Sequence, residues 1–232
     1  MSHGVRGVEF GFVAALEREV SGLVRDWERI DAGKGRKIFQ QEGAVLITVG
    51  TGVEQAYRAA RLLVERCAPR MLVSVGFAGS CVAGVGPGSI VIPDRAVEAR
   101  SGRVTECGLP GGSGVLVTLD CVAGRVEKQQ ARERFAAVAV DMETAGVARA
   151  AAECGVEFAA IKAISDGAED DLDFLADFVT PEGFATARFV AHIAPRPWLW
   201  HRVVELGRNS RLASEALVAA LWQCMRDVDR PE

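Results

Sequence analysis

Short apolar runs alternate with helix-forming segments along most of the chain, and most of the runs end in glycine or in an acidic residue. Residues 8–15 (VEFGFVAA) read as a buried strand, which leads through Leu16-Glu17-Arg18-Glu19-Val20 into a helix with apolar positions at Val20, Leu23, Val24 and Trp27. Residues 37–41 and 44–49 read as two strands around the turn Glu42-Gly43, followed by Gly50-Thr51-Gly52 and a helix at about 53–67. Residues 71–76 form another apolar strand, ending in the loop-like Gly76-Phe77-Ala78-Gly79-Ser80, and 89–93 a short one. Residues 99–114 hold Gly102, Gly108, Pro110, Gly111, Gly112 and Gly114, a loop signature. Beyond it the pattern gives a strand at 115–119, a polar helix at about 125–134, a strand at 136–140, an alanine-rich helix at 144–154 and a strand at 157–164. The remainder reads as mostly helical, broken at Pro181, Pro195 and Pro197. Strands alternating with helices predict an α/β domain of layered type around a parallel or mixed sheet, 1–232 being one domain with a helical appendage at 195–232.

Composition narrows the function classes. With 232 residues the chain buries enough surface, roughly 70% of what the unfolded chain exposes, to need no disulfide or metal staple. The net charge of −4 argues against a nucleic-acid binder. Six cysteines occur without a CxxC pair, and His3, His192 and His201 form no HxH or HxxxH pair, so no metal and no organic cofactor is indicated. No secretory leader and no run of about 18 apolar residues is visible, which makes the cytoplasm the expected location, with the cysteines reduced.

In open α/β sheets ligands bind beyond the carboxyl ends of the strands, so polar residues just after apolar strands are the candidates. Four such ends stand out: Ala15 to Glu19, Gly76 to Ser80, Asp141-Met142-Glu143, and Ser165-Asp166. Each has a plain alternative. Asp166 and the acidic residues at 141–143 suit helix N-termini, Glu17 and Glu19 suit a first helical turn, and the Gly76 to Gly79 stretch suits a tight turn. Gly50-Thr51-Gly52 lacks the third glycine of a dinucleotide fingerprint, and GxxxxGK[ST] and GxSxG are both absent, so Rossmann cofactor, P-loop nucleotide and α/β-hydrolase readings fail on their defining motifs.

Taken in order, these elements resemble the nucleoside phosphorylase / nucleosidase superfamily, in particular its methylthioadenosine/S-adenosylhomocysteine nucleosidase branch. Val140-Asp141-Met142-Glu143-Thr144-Ala145 and Ala163-Ile164-Ser165-Asp166 look like its paired signature. Ala14 to Val20, Val49 to Gly52, Val75 to Gly79 and Gly88 to Pro93 are similar to its acidic motif, its second-strand glycine pair, its central glycine loop and the strand after it. The resemblance implies a three-layer α/β/α fold with a central mixed sheet, a C-terminal helical extension, and cleavage of the N-glycosidic bond between a purine and ribose through an oxocarbenium-like transition state. It implies Asp166 as the acid at purine N7, which needs a pKa raised by burial, with Ser165 orienting it. Glu143 would hold the ribose 2′-hydroxyl, Met142 would pack on the sugar, and Glu19 would position or deprotonate the attacking water. Ala78 and Gly79 would line the nucleophile's side, with Val122 and the Ala123 backbone at the base. A glutamate at position 19 favours water over phosphate, whereas Arg18 would serve phosphate if its loop turned.

The chain departs from that branch in several places. Lys162 stands where arginine is usual, Asp141 replaces a glutamate, and Val122 occupies the place of the aromatic that stacks on adenine. Residues 195–211 combine Trp198 and Trp200 with four arginines against one glutamate. This tail, with Ile164-Ser165-Asp166-Gly167-Ala168-Glu169-Asp170-Asp171, is similar to the hopanoid-associated phosphorylase branch, linked to release of adenine from the lipid-linked adenosylhopane. A small-molecule nucleoside, lipid-linked if the hopanoid-branch resemblance holds, is thus the expected partner, with peripheral membrane contact through the tail, or packing of the tail on the domain or a second subunit, as its two readings. The resemblance also implies a homo-oligomer, often a dimer. Alternatives are a phosphate-dependent purine nucleoside phosphorylase, a futalosine hydrolase and a catalytically silent nucleoside-binding module.

Overall fold

The computed structural model describes residues 7–31, 37–180 and 183–228. Its centre is a mixed sheet with eleven strands among the described residues. The strands are β1 (Phe10–Ala14), β2 (Glu28–Asp31), β3 (Lys37–Gln41), β4 (Ala44–Thr48), β5 (Met71–Ser80), β6 (Ile90–Val91), β7 (Arg95–Glu98), β8 (Val104–Glu106), β9 (Val115–Thr118), β10 (Ala137–Asp141) and β11 (Glu157–Asp166). Their spatial order is β2-β3-β4-β1-β5-β10-β9-β7-β8, and β11 lies along β5 and carries β6. β5 is the pivot: parallel to β1 on one side and to β11 on the other, it meets β10 antiparallel at Gly79 and Ser80. β1 and β4 are buried throughout their length, as continuous apolar strands covered on both faces must be.

Helices cover the two faces. On one lie α2 (Val53–Cys67) and α4 (Thr144–Cys154), whose Ala56, Ala59, Ala60, Leu63, Val147, Ala148 and Ala151 pack with Leu72, Leu116 and Ile164 of the sheet. Small side chains bring these two helices close, and a Cβ at Gly146 would sit 2.1 Å from the Val53 carbonyl oxygen. The other face carries α1 (Glu17–Val24) and α6 (Trp200–Val228), which cover Phe10, Phe12, Val73 and Ile161 with Val20, Leu23, Ala213, Leu217 and Leu221. α3 (Arg125–Phe135) packs against β9 and β10, and Phe189 of α5 (Thr186–Ile193) packs with Leu175 and Phe178. The result is the three-layer α/β/α arrangement with a mixed sheet that the resemblance implies, including the helical C-terminal extension.

Several elements differ from the pattern reading. The stretch at 99–114 is not wholly loop: β8 pairs with β7 as an antiparallel hairpin at the sheet edge. Val104 is exposed there, so the glycine-rich surroundings hid an edge strand with no buried face to mark it. β2, sequence ERID, is likewise a polar edge strand. Gly76 to Ser80 belong to β5 rather than to a loop, and Ser165 and Asp166 belong to β11. β12 (Val179–Thr180) and β13 (Gly183–Phe184) pair antiparallel where helix was expected. Within the extension a 3-10 turn, Pro197–Leu199, leads into the 29-residue helix α6, whose second half joins the core through the fully buried Ala213, Leu217 and Leu221. Pro181 lies outside the described residues. No described helix is long and apolar enough to cross a membrane.

Candidate active site

The carboxyl ends of β1, β4, β5, β10 and β11 converge on a cavity of about 180 Å³. All nine residues singled out from the sequence border it: Glu19, Ala78, Gly79, Val122, Ala123, Met142, Glu143, Ser165 and Asp166. Each arrives for a local reason. β1 ends at Ala14, and Glu19 in the first turn of α1 folds back so that its Oε2 accepts the Leu16 amide at 3.3 Å. That return runs directly over β5. A Cβ at Gly76 would lie 2.8 Å from Glu19 Oε2, and Gly76 itself has φ +138°, a backbone conformation that requires glycine there. Gly50 donates to the Ala15 carbonyl at 2.9 Å and ties the end of β4 to the end of β1. Two residues later the Gly52 amide donates to Glu143 Oε1 at 2.9 Å.

Within Asp141-Met142-Glu143 the two carboxylates part company. Asp141 answers to the capping reading. Its Oδ2 accepts the Thr144 amide at 3.0 Å and the Thr144 hydroxyl at 2.5 Å, and its Oδ1 accepts the Thr118 hydroxyl at 2.8 Å. Fully buried Lys162 donates to Asp141 Oδ2 at 2.9 Å and to the Ser74 hydroxyl at 3.0 Å, which satisfies its charge beneath the cavity. Glu143 borders the same cavity, but its side chain does not cap α4, its Oε1 being held by the Gly52 amide.

Ser165 and Asp166 reach the same cavity through a break in register. Ile164 pairs with Ala78 and Asp166 with Gly79, which leaves Ser165 as the extra residue of a β-bulge. Regular alternation would send neighbouring side chains to opposite faces, and a bulge re-aims one of them. The Ser165 hydroxyl donates to Asp166 Oδ1 at 2.6 Å.

Burial dominates the electrostatics. It pushes the Glu19 carboxyl up to about 7, with the charge of Glu143 adding to the rise and Lys162 opposing it. It does the same to Glu143, also to about 7, with Asp141 adding and Lys162 opposing. Two such carboxyls hold protons near neutrality that exposed ones would have lost. Asp166 is likewise raised by burial, against the nearby ammonium of Lys128. Arg18 is the one basic side chain bordering the cavity among the described residues, which also include the acidic Glu19, Asp141, Glu143 and Asp166.

Sequence reasoning missed Thr51, Phe77, Cys121 and Leu172 as lining residues, and Lys128 altogether. Phe77 and Thr51 sat inside motifs that had been recognised, so their neighbours carried the signal. Lys128 had a fainter one: it lies three residues before Ala131, on the single buried edge of an otherwise polar helix. No cluster of three or more metal-binding side chains occurs among the described residues.

The architecture recurs among solved structures. The chain superposes on the apo 5′-methylthioadenosine nucleosidase of Arabidopsis thaliana with a TM-score of 0.75, at 16% identity, over 98% of each chain. The 5′-methylthioadenosine/S-adenosylhomocysteine nucleosidase of Neisseria meningitidis, in complex with methylthio-immucillin-A, gives a TM-score of 0.67 at 16% identity, over 91% of this chain and 95% of that one. The native futalosine hydrolase of Helicobacter pylori gives 0.61 at 18% identity, over 69% and 88%. At these identities the likeness is one of fold. The family-level match is in the sequence: the model of the phosphorylase superfamily matches residues 9–116 and 104–193, which together span most of the chain, every strand of the central sheet and every candidate residue of the cavity. The chain belongs to the phosphorylase superfamily.

Proposed function

We propose that the protein is a purine nucleosidase that hydrolyses the N-glycosidic bond of a 5′-substituted adenosine and releases adenine. The observation that carries hydrolysis over phosphorolysis is the engagement of the backbone amides around the cavity. A phosphate nucleophile needs free N–H groups and cations. Here the Gly52 amide is taken by Glu143 and the Leu16 amide by Glu19, and either carboxyl, once ionised, would repel an incoming anion.

In this reading Glu19, ionised, takes the proton of the attacking water. Glu143, fixed by Gly52, accepts the ribose 2′-hydroxyl, and Met142 packs beside the sugar. Ala78 and Gly79 border the water's approach. Asp166, held by Ser165, protonates the purine at N7 as the bond to ribose lengthens, while Val122 supplies an apolar wall and Ala123 a backbone contact for the base. Each proton is accounted for: one leaves water for Glu19, one leaves Asp166 for the base.

The finer reading of the substrate is a lipid-linked 5′-substituent such as that of adenosylhopane, brought from a membrane surface. Its support is the start of α6 and the turn before it, where Trp198 and Trp200 are 63% and 53% exposed, Val204 is 72% exposed, and Arg208 and Arg211 follow on the same helix. Aromatic and apolar side chains beside arginine suit a membrane–water interface.

The deciding experiment is base release from 5′-methylthioadenosine and from an adenosine with a bulky apolar 5′ group, each with and without phosphate. Free sugar formed without phosphate is the expected product. Ribose 1-phosphate formed only in its presence would make the protein a phosphorylase and shift attention to Arg18. Adenine binding without turnover would make it a binding module, and preferential turnover of futalosine would replace the substrate. A faster reaction with the bulky substrate, rising further with anionic vesicles, is the result the lipid-linked reading requires.

Glu143 supplies a narrower check. Glu143→Ala is expected to lower kcat/KM on a riboside by roughly 10–100-fold, the scale of one or two charge-assisted hydrogen bonds, and on the 2′-deoxy analogue by less. Equal losses on both substrates would remove the 2′-hydroxyl contact.

A further inference from the structure

Lys128 is 1% exposed, sits in the second turn of α3 and borders neither the solvent nor the cavity. Its Nζ has three acceptors: Asp166 Oδ2 at 2.5 Å, the Gly167 carbonyl at 2.8 Å and the Asp170 carbonyl at 3.0 Å. Three acceptors match the three hydrogens of an ammonium group. Buried this deeply, the charge needs a counter-ion. Asp170 does not supply it, because its Oδ2 accepts the Gly167 amide at 2.7 Å and only its backbone meets Lys128. The counter-ion is Asp166, whose other oxygen, Oδ1, is held by Ser165. β5 is shaped to admit the pair, since a Cβ at Gly79 would lie 2.8 Å from Asp166 Oδ2 and 2.9 Å from Lys128 Cε.

We propose that Lys128 is the positioning residue of the acid: its ammonium fixes one oxygen of the Asp166 carboxyl, and its charge sets the pH at which Asp166 holds the proton given to the departing base. The inference rests on the nucleosidase reading of Asp166. Other groups facing Asp166 leave the controlling charge with Lys128. Cys81, beside the end of β5, has its thiol pushed up to about 11 by burial and is neutral. Asp170 acts in the opposite sense, as a carboxylate in the next turn. Arg132, one turn along α3, donates to the Ala137 carbonyl, while Glu169 pairs with Arg125 at the surface. Without Lys128, burial would act on Asp166 nearly unopposed and hold its proton to higher pH.

The test is the pH dependence of kcat/KM on 5′-methylthioadenosine, and of adenine affinity, for the full chain and for Lys128→Gln, Lys128→Met and Lys128→Arg. Lys128→Gln keeps an amide donor for the two carbonyls while removing the charge, so it remains informative if the methionine variant does not fold. The readout is the limb of the profile that Asp166→Asn abolishes. In Lys128→Gln this limb is expected to move up by roughly 1–3 pH units, the effect of losing an opposite charge at contact distance. At the optimum kcat should fall at least about tenfold, with KM changing less, and Lys128→Arg should restore the limb. In an Asp166→Asn background the same Lys128 substitution should cost almost nothing more, because the two residues act as one unit. A limb that stays in place, or an equal loss in the Asp166→Asn background, would make Lys128 a prop for the 167–170 turn and overturn the inference while leaving the nucleosidase reading intact. A wild type that neither turns over nucleosides nor binds adenine would overturn both.

Discussion

Glu19→Gln is expected to remove most of the turnover and, above pH 7, to make the protein harder to unfold. The first effect is the loss of a general base, worth roughly 10²–10⁴-fold in kcat. The second follows from linkage. The folded-state pKa of Glu19 is about 7, above the ordinary value of 4.5, because the group is buried beside Glu143. A carboxyl raised in this way contributes its full stability below about pH 4.5, and that contribution is lost as the pH climbs through 7. At pH 8.5 the folded chain therefore carries a buried charge whose cost is at most about 3.5 kcal/mol, since one pKa unit is about 1.4 kcal/mol. Glutamine keeps the acceptor for the Leu16 amide and removes the charge. Relief of about 1–3 kcal/mol, or roughly 2–10 °C in Tm for a chain of this size, is expected at pH 8.5 and almost none at pH 5. Melting curves of both proteins at the two pH values, with kcat measured alongside, check the claim. A gain of equal size at both would mean that Glu19 is not the charge being relieved, and an unchanged kcat would take it out of the mechanism. The same coupling predicts that wild-type activity falls below neutrality as Glu19 takes up its proton.

The parts of this molecule legible in the sequence are those where burial writes a period. β1, β4 and β5 are long apolar runs because both faces are covered, and α2 and α4 carry alanines where two helices approach closely. The illegible parts lack such a face. β2 and β8 lie at the margins of the sheet, and nothing in their composition distinguishes them from loop. Gly76 illustrates a subtler failure. Glycine after an apolar run reads as a turn, but here the strand continues and the missing side chain is needed by Glu19 from another element. The site shows the same division. Its carboxylates follow apolar runs and were visible as departures from hydrophobicity. The β-bulge that brings both Ser165 and Asp166 to the cavity has no sequence signature, and the Lys128 to Asp166 pair joins α3 to β11 through contacts that only the folded chain creates. A buried lysine on a polar helix looks like any other surface lysine until its neighbours are known.

Asp166→Asn should lower kcat by roughly 10²–10⁴-fold while KM moves little, because asparagine can still meet the base but has no carboxyl proton to give it. The leaving group offers a discriminating control. A purine departs poorly without a proton at N7, whereas 4-nitrophenolate departs as a stable anion. On a 4-nitrophenyl riboside, the loss from Asp166→Asn should shrink well below that on an adenosine. Equal losses on the two substrates would mean that Asp166 acts by holding the cavity in shape rather than as an acid. Stability should change in the direction opposite to that of Glu19→Gln. Asp166 is the counter-ion of a fully buried ammonium, so replacing it leaves Lys128 with two carbonyls and an amide. Breaking a buried pair from one side costs on the order of 3–5 kcal/mol. Activity of the variant must therefore be read at a temperature where its melting curve shows it folded. Two neutralised carboxylates in one cavity are thus expected to give similar catalytic losses and opposite thermal shifts. Glu19 is buried against another carboxylate and gains from losing its charge, whereas Asp166 is buried against a cation and does not.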